Sequence, residues 1–247
     1  MKISVPTDFR SWRLKLRLET DQPGQCLLRV ADSRYPNSDF LRRRIPFNTR
    51  LVRDIEVPLP ISPAELNVEL SGEHIWLESV SKTPMEDRTV LATPGRHRFM
   101  DFAVAFARRA GYLPAGNYPD PSGSFMIRYS ETIRDFLGRP QLTPARINRN
   151  SGRVELARNQ FMRFSIPVRI AILAHEACHF FLDTRDELIA DRCGLAWYLD
   201  MGFPRIEAIY TATKVFGQFP QAIGPDTVER TREVVEFIQN YQPYGKP

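Results

Sequence analysis

Residues 169–182 read Arg-Ile-Ala-Ile-Leu-Ala-His-Glu-Ala-Cys-His-Phe-Phe-Leu, and this stretch decides how the rest of the chain is read. It is apolar enough for a buried helix, yet it carries two of the chain's four histidines, His175 and His179. Side chains four apart on a helix stand one turn above each other, roughly 6 Å apart. Two imidazoles so placed can close on one metal ion at about 2.0–2.1 Å each. Glu176 lies on the flank of the same face, where its carboxylate reaches a water on the ion and not the ion itself. His-Glu-x-x-His is the pattern in which two histidines hold zinc and the glutamate is the general base. The apolar run ahead of His175 excludes bulk water, which strengthens electrostatics at the ion. The competing reading is a buried helix with two satisfied histidines.

A catalytic zinc needs a third protein ligand and an open fourth position. Asp183 continues the spacing of four, but its short side chain lies a full turn past His179. Glu187 and Asp191 share a face of the next helix. If that helix folds back, one of them can bind the metal. The other can accept a hydrogen bond from a ligand histidine and so fix its tautomer. Thr184-x-x-Glu187 also reads as a capping box, which would make Glu187 a helix-start residue. Cys178 faces away from the histidines and reads as core packing. Tyr198 and Tyr210 are both candidates to stabilise an oxyanion.

His175-Glu-Ala-Cys-His179 followed by Glu187-x-x-Ala190-Asp191 resembles the gluzincin metallopeptidases. The stretch from Ala190 to Ala208 is similar to HExxH proteins of Bacteroidetes-type bacteria and their phages. The resemblance covers roughly residues 140–240. It implies a zinc peptidase with His175, His179 and Glu187 as ligands, Asp191 supporting a ligand histidine, and Glu176 as base. The gap from His179 to Glu187 is far shorter than in most gluzincins, so a tight turn must join the two helices. Leu182 and Arg185 stand where the metzincin pattern has glycine and a third histidine. By the same resemblance, the strand Arg153–Ala157 lies along the cleft and pairs with an extended substrate; the alternative is an ordinary sheet edge.

The first eighty-odd residues read differently. Trp12, Leu14, Leu16 and Leu18 alternate with charged residues, as do Leu51–Val57 and Leu66–Leu70. Cys26–Val30 and His74–Val80 are further strand candidates. Short alternating runs separated by turn signals suggest a small β-sandwich. Residues 81–94, with two prolines, read as a linker. Beyond it come a helix over 95–110, short strands at 125–129, 145–147 and 153–156, and helices near 166–182, 186–201, 204–216 and 226–240. The expected architecture is α+β: a β-sandwich over 1–85, then a mainly helical zincin-like domain with a short β-sheet over 86–247.

The net charge of +5 comes from scattered arginines, the densest cluster being Arg42, Arg43 and Arg44. Such dispersion fits a solvated surface better than a nucleic-acid interface. No apolar run approaches the ~20 residues of a membrane span. The N-terminus lacks the apolar stretch of a secretory signal. Three cysteines without close pairing argue for a reducing, cytoplasmic setting, or a virion if the chain is phage-encoded. The expected cofactor is Zn2+ and the expected partner a peptide or protein substrate, with a further protein docking on the β domain. The rival function is a non-enzymatic assembly component that keeps a peptidase fold as scaffold.

Overall fold

The computed structural model describes residues 1–35, 37–48, 51–85, 93–218 and 225–242. The chain is mixed α and β and divides into two compact units: Met1–Arg88 with Gly202–Pro204, and Thr89–Met201 with Arg205–Pro247. Among the described residues, no helix is long and apolar enough to cross a membrane.

The described residues of the first unit form seven strands: β1 (Lys2–Pro6), β2 (Trp12–Thr20), β3 (Gly24–Asp32), β4 (Asp39–Phe47), β5 (Leu51–Leu59), β6 (Glu65–Ser71) and β7 (Ile75–Pro84). They pair antiparallel in two sheets, ordered β1-β6-β3-β4 and β5-β2-β7. Each sheet turns one apolar face inward. Leu14, Leu16 and Leu18 of β2 are fully buried, as are Leu28 and Val30 of β3 and Leu66 of β6. The outward face of β2 carries a charge ladder instead, Arg13–Glu56, Lys15–Asp54 and Arg17–Glu78. Such exposed pairs contribute little stability each, but they keep the face in water.

Several details of the sequence reading change, the unanticipated strand β1 among them. Strand β4 was missed because Arg43 occupies an inward-phase position between Leu41 and Ile45, which hides the alternation. The three arginines therefore point to both faces of one strand and form no single patch. His74 lies in the turn before β7, with φ of 57°, not on the strand. Residues 81–84 of the expected linker belong to β7, and 86–92 lie outside the described residues.

The second unit contains strands β8 (Gly116–Pro119), β9 (Met126–Ser130), β10 (Ala145–Asn148) and β11 (Arg153–Ala157). Its helices are α1 (Pro94–Arg109), α2 (Arg158–Phe161), α3 (Ile166–Phe181), α4 (Glu187–Asp200), α5 (Arg205–Tyr210) and α6 (Pro225–Asn240). The sheet order is β10-β11-β9-β8, with β11 and β9 parallel and the other pairs antiparallel. Helix α3 is the hub. Every residue from Ile166 to His179 is buried, so this helix is covered on all sides, as its all-round apolar sequence requires. The one long polar residue in its first half, Arg169, is spent internally. Its guanidinium donates to the carbonyls of Phe161, Ala107 and Met162, the first at 3.1 Å. The expected helix over 204–216 is instead short: α5 passes into a π-helical turn (Thr211–Val215) and a 3-10 turn (Phe216–Gln218). Thr211 and Thr213 hydroxyls donate back to the carbonyls of Glu207 and Ile209 in this stretch. Such insertions recur at functional sites, and this one seats Phe216 against His175, ring centres 4.5 Å apart.

Candidate metal centre

The site is built where α3 and α4 pack antiparallel over a very short link. Helix α3 ends at Phe181 and is capped by Leu182, and Asp183 then takes φ of 45°, a left-handed conformation that aspartate tolerates better than most residues. The chain reverses at once. Thr184 Oγ1 accepts from the Asp186 N–H, and Asp186 caps α4 by accepting from Leu188 and Ile189 N–H. The cap is therefore Asp186 and not Thr184, so no capping box claims Glu187. Its side chain is free to turn toward α3.

Gly194 sets the distance between the helices. A Cβ there would stand 2.6 Å from the backbone nitrogen of His175 and 2.7 Å from its Cα. Only glycine lets α4 approach this closely. Cys178 of α3 is also bonded to Cys193 of α4, across fifteen residues of chain. The sequence reading had Cys178 as unpaired packing. The correction follows from the helix reversal, which brings together two cysteines with no recognisable spacing motif. Cys26 is the free, buried one.

On this frame His175 Nε2 and His179 Nε2 lie 3.1 Å apart, and each lies 3.6 Å from a Glu187 carboxylate oxygen. Donor atoms about 2.05 Å from a tetrahedral zinc would lie roughly 3.3 Å from one another. The two imidazole nitrogens stand close to that spacing, and Glu187 turns one oxygen toward each of them, so the three side chains form a cluster that could hold one metal ion. Each imidazole has its other nitrogen beside an oxygen. His179 Nδ1 is 2.9 Å from the Thr184 carbonyl, which only an N–H can satisfy, leaving the Nε2 lone pair free. His175 Nδ1 is 2.8 Å from Asp191 Oδ1. That distance is short enough for a hydrogen bond, but the alignment is poor, and neither buried atom has a better partner. Asp191 Oδ2 accepts from Arg230 Nε of α6 at 2.7 Å, and another Arg230 nitrogen is 3.5 Å from Glu187.

Glu176 is buried beside the triad, close to the backbone N–H of Ile147 on β10. Burial pushes its carboxyl up to about 7; the His175 charge opposes this, and Glu187 adds to it. Burial pulls His175 down, but Asp191, Glu176 and Glu187 overcome it and the imidazole ends above its ordinary value. His179 goes the other way, lowered by burial and by His175. Without metal the cluster therefore favours one positive charge near His175, the electrostatic counterpart of a cation site.

A stability effect follows for the metal-free protein. Glu176 has a folded pKa above its unfolded value of 4.5. Its contribution is thus fully present below pH 4.5 and lost as pH rises through about 7. A shift of that size corresponds to about 3 kcal/mol. Metal-free Glu176→Gln should match wild type near pH 4.5 and exceed it at pH 8 by up to that amount. Urea denaturation in chelator across this range measures it, and equal stabilities at pH 8 would refute it.

The triad opens into a cleft of about 820 Å³ lined by α3, the α3–α4 turn, Phe216, Arg230 and residues 139–147 with Arg149. The strand along this cleft is β10, not β11. The order β10-β11-β9-β8 places β11 inside the sheet and leaves β10 at the edge. Ala157 N–H donates to the Pro144 carbonyl. In an antiparallel ladder this makes Ala145 and Ile147 the residues whose backbone groups face away from β11. Neither Tyr198 nor Tyr210 lines the cleft; arginines do. Arg139 pairs with Asp135, Arg146 with Glu155, Arg149 with Asp183 and Arg230 with Asp191.

No family model, curated protein or solved structure matches this chain. The site must be read from its own geometry. Sequence reasoning missed Gly194, although a glycine inside a helical pattern is a signal of close packing. It also missed Arg230, Phe216 and the Thr184 carbonyl, for which no local signal exists.

Proposed function

We propose that the chain is a zinc-dependent peptidase whose second unit follows a zincin-like plan. The observation that carries this reading is the clustering of His175, His179 and Glu187 within reach of one ion, with buried Glu176 beside them in an open cleft. Bound zinc would supply Lewis-acid polarisation of a peptide carbonyl and an acidified water. Glu176 takes the proton of the attacking water and hands it to the leaving amine. Its carboxyl, held near neutrality by burial, is suited to both transfers. Asp191 and the Thr184 carbonyl hold the two imidazoles in the tautomer that leaves Nε2 free. Apart from the Ile147 N–H, which Glu176 takes, and the Ala145 carbonyl, which accepts from Thr143 Oγ1, the outward backbone groups of β10 offer an extended polypeptide a strand to pair with. The β-sheet unit is assigned as a docking module for a protein partner.

The test is metal content and cleavage together. Purified protein should take up about one zinc per chain, set by its single three-donor cluster among the described residues. The zinc-loaded form should fragment an unfolded polypeptide, and a chelator should stop it. Glu187→Gln should lower zinc affinity along with activity. Asp191→Asn should weaken zinc about 10–100-fold, as expected when the partner of a ligand histidine is lost. Asp191→Asn losing the metal outright while Glu187→Gln keeps it would reverse the ligand assignment. A zinc-loaded protein that cuts no polypeptide would leave the scaffold role.

A further inference from the structure

Five arginines line the cleft, and four of them are already matched to carboxylates. The fifth, Arg185, is exposed and has no ion-pair partner among the described residues. The acids nearest to it in sequence are committed elsewhere. Asp183 binds Arg149, Asp186 caps α4, and Glu187 faces the two imidazoles. Arg185 also lines the same cleft as the triad. It follows Thr184, whose carbonyl meets His179, and precedes Glu187 by two residues. Guanidinium offers a planar fork of donors that matches a carboxylate, and it stays charged at any working pH.

We infer that Arg185 selects the substrate of this cleft by binding a carboxylate of the polypeptide, an acidic side chain or a free C-terminus next to the bond that is cut. The inference rests on the peptidase reading above. The matched arginines shape the cleft wall; the unmatched one provides charge to the ligand.

The experiment uses the zinc-loaded full chain and peptides identical except for Glu, Gln or Lys stepped along each side of the cleaved bond. Each peptide is made with a free and with an amidated C-terminus. Wild type should cut the Glu peptide about tenfold faster than the Gln peptide at one position, in line with a charge-assisted hydrogen bond. A preference that survives amidation identifies a side-chain carboxylate; one confined to free C-termini identifies the terminus. Arg185→Ala should erase the preference, Arg185→Lys restore part of it, and Arg185→Glu turn it toward Lys, with zinc content and melting temperature unchanged in all three. The same charge profile in wild type and Arg185→Ala overturns the inference and leaves the peptidase reading standing. A second readout does not need turnover. The Arg185 Nε–H resonance of zinc-loaded Glu176→Gln should shift saturably with an acetylated, amidated Glu peptide and not with its Gln counterpart. Should wild type cut nothing while that shift appears, the carboxylate site stands and the peptidase reading falls. Should neither peptide shift the resonance, the carboxylate site falls.

Discussion

On the proposed zinc-peptidase reading, glutamine in place of Glu176 is expected to abolish peptide hydrolysis while leaving the metal in place. The two side chains have nearly the same shape, and Glu176 is not among the three donors of the candidate metal cluster. Zinc content should therefore stay near one per chain. Glutamine cannot accept the proton of the attacking water, and a positioned general base contributes about 10²–10⁴-fold to rate. Residual activity within about threefold of wild type would mean that another group carries the proton. The substitution also removes a buried carboxyl that resists ionisation. The inactive variant should thus be at least as stable as wild type at neutral pH without metal, which separates lost chemistry from lost folding.

Gly194→Ala is expected to be the most damaging single-methyl change in the second unit. The added carbon would fall 2.6 Å from the backbone of His175, and a backbone atom cannot rotate away as a side-chain tip can. Helices α3 and α4 must separate, at a cost of about 3 kcal/mol for overpacking a tight contact. For a chain of this size that lowers the melting temperature by roughly 10 °C. The same displacement pulls Glu187 and Asp191 away from the two histidines. Zinc affinity should fall at least about tenfold, the lower end of what losing ligand support costs. Thermal denaturation and a competitive zinc titration measure the two effects. Gly24→Ala is the control, since nothing lies within 4 Å of its added carbon. Equal melting temperatures for the two variants would show that the helices have slack at Gly194.

What the sequence determined by itself was local. Helical periodicity alone puts His175, Glu176 and His179 on one surface, and Glu187 and Asp191 on another, because 3.6 residues per turn is a property of a few consecutive residues. Alternation made β2, β5 and β6 legible for the same reason, and it failed for β4, where a half-buried Arg43 breaks the pattern. The tertiary structure decided everything that needs two distant segments to meet. Asp191 finds Arg230 across 39 residues, and Cys178 finds Cys193 only because the chain reverses at Asp183. That β10 and not β11 lines the cleft depends on which strand is left unpaired at the sheet edge, and pairing order is a contest among all strands at once. The closeness of α4 to α3 was written in one residue, Gly194. Its meaning depends on the backbone of His175, nineteen positions earlier, because a missing side chain matters only where another part of the chain fills the space.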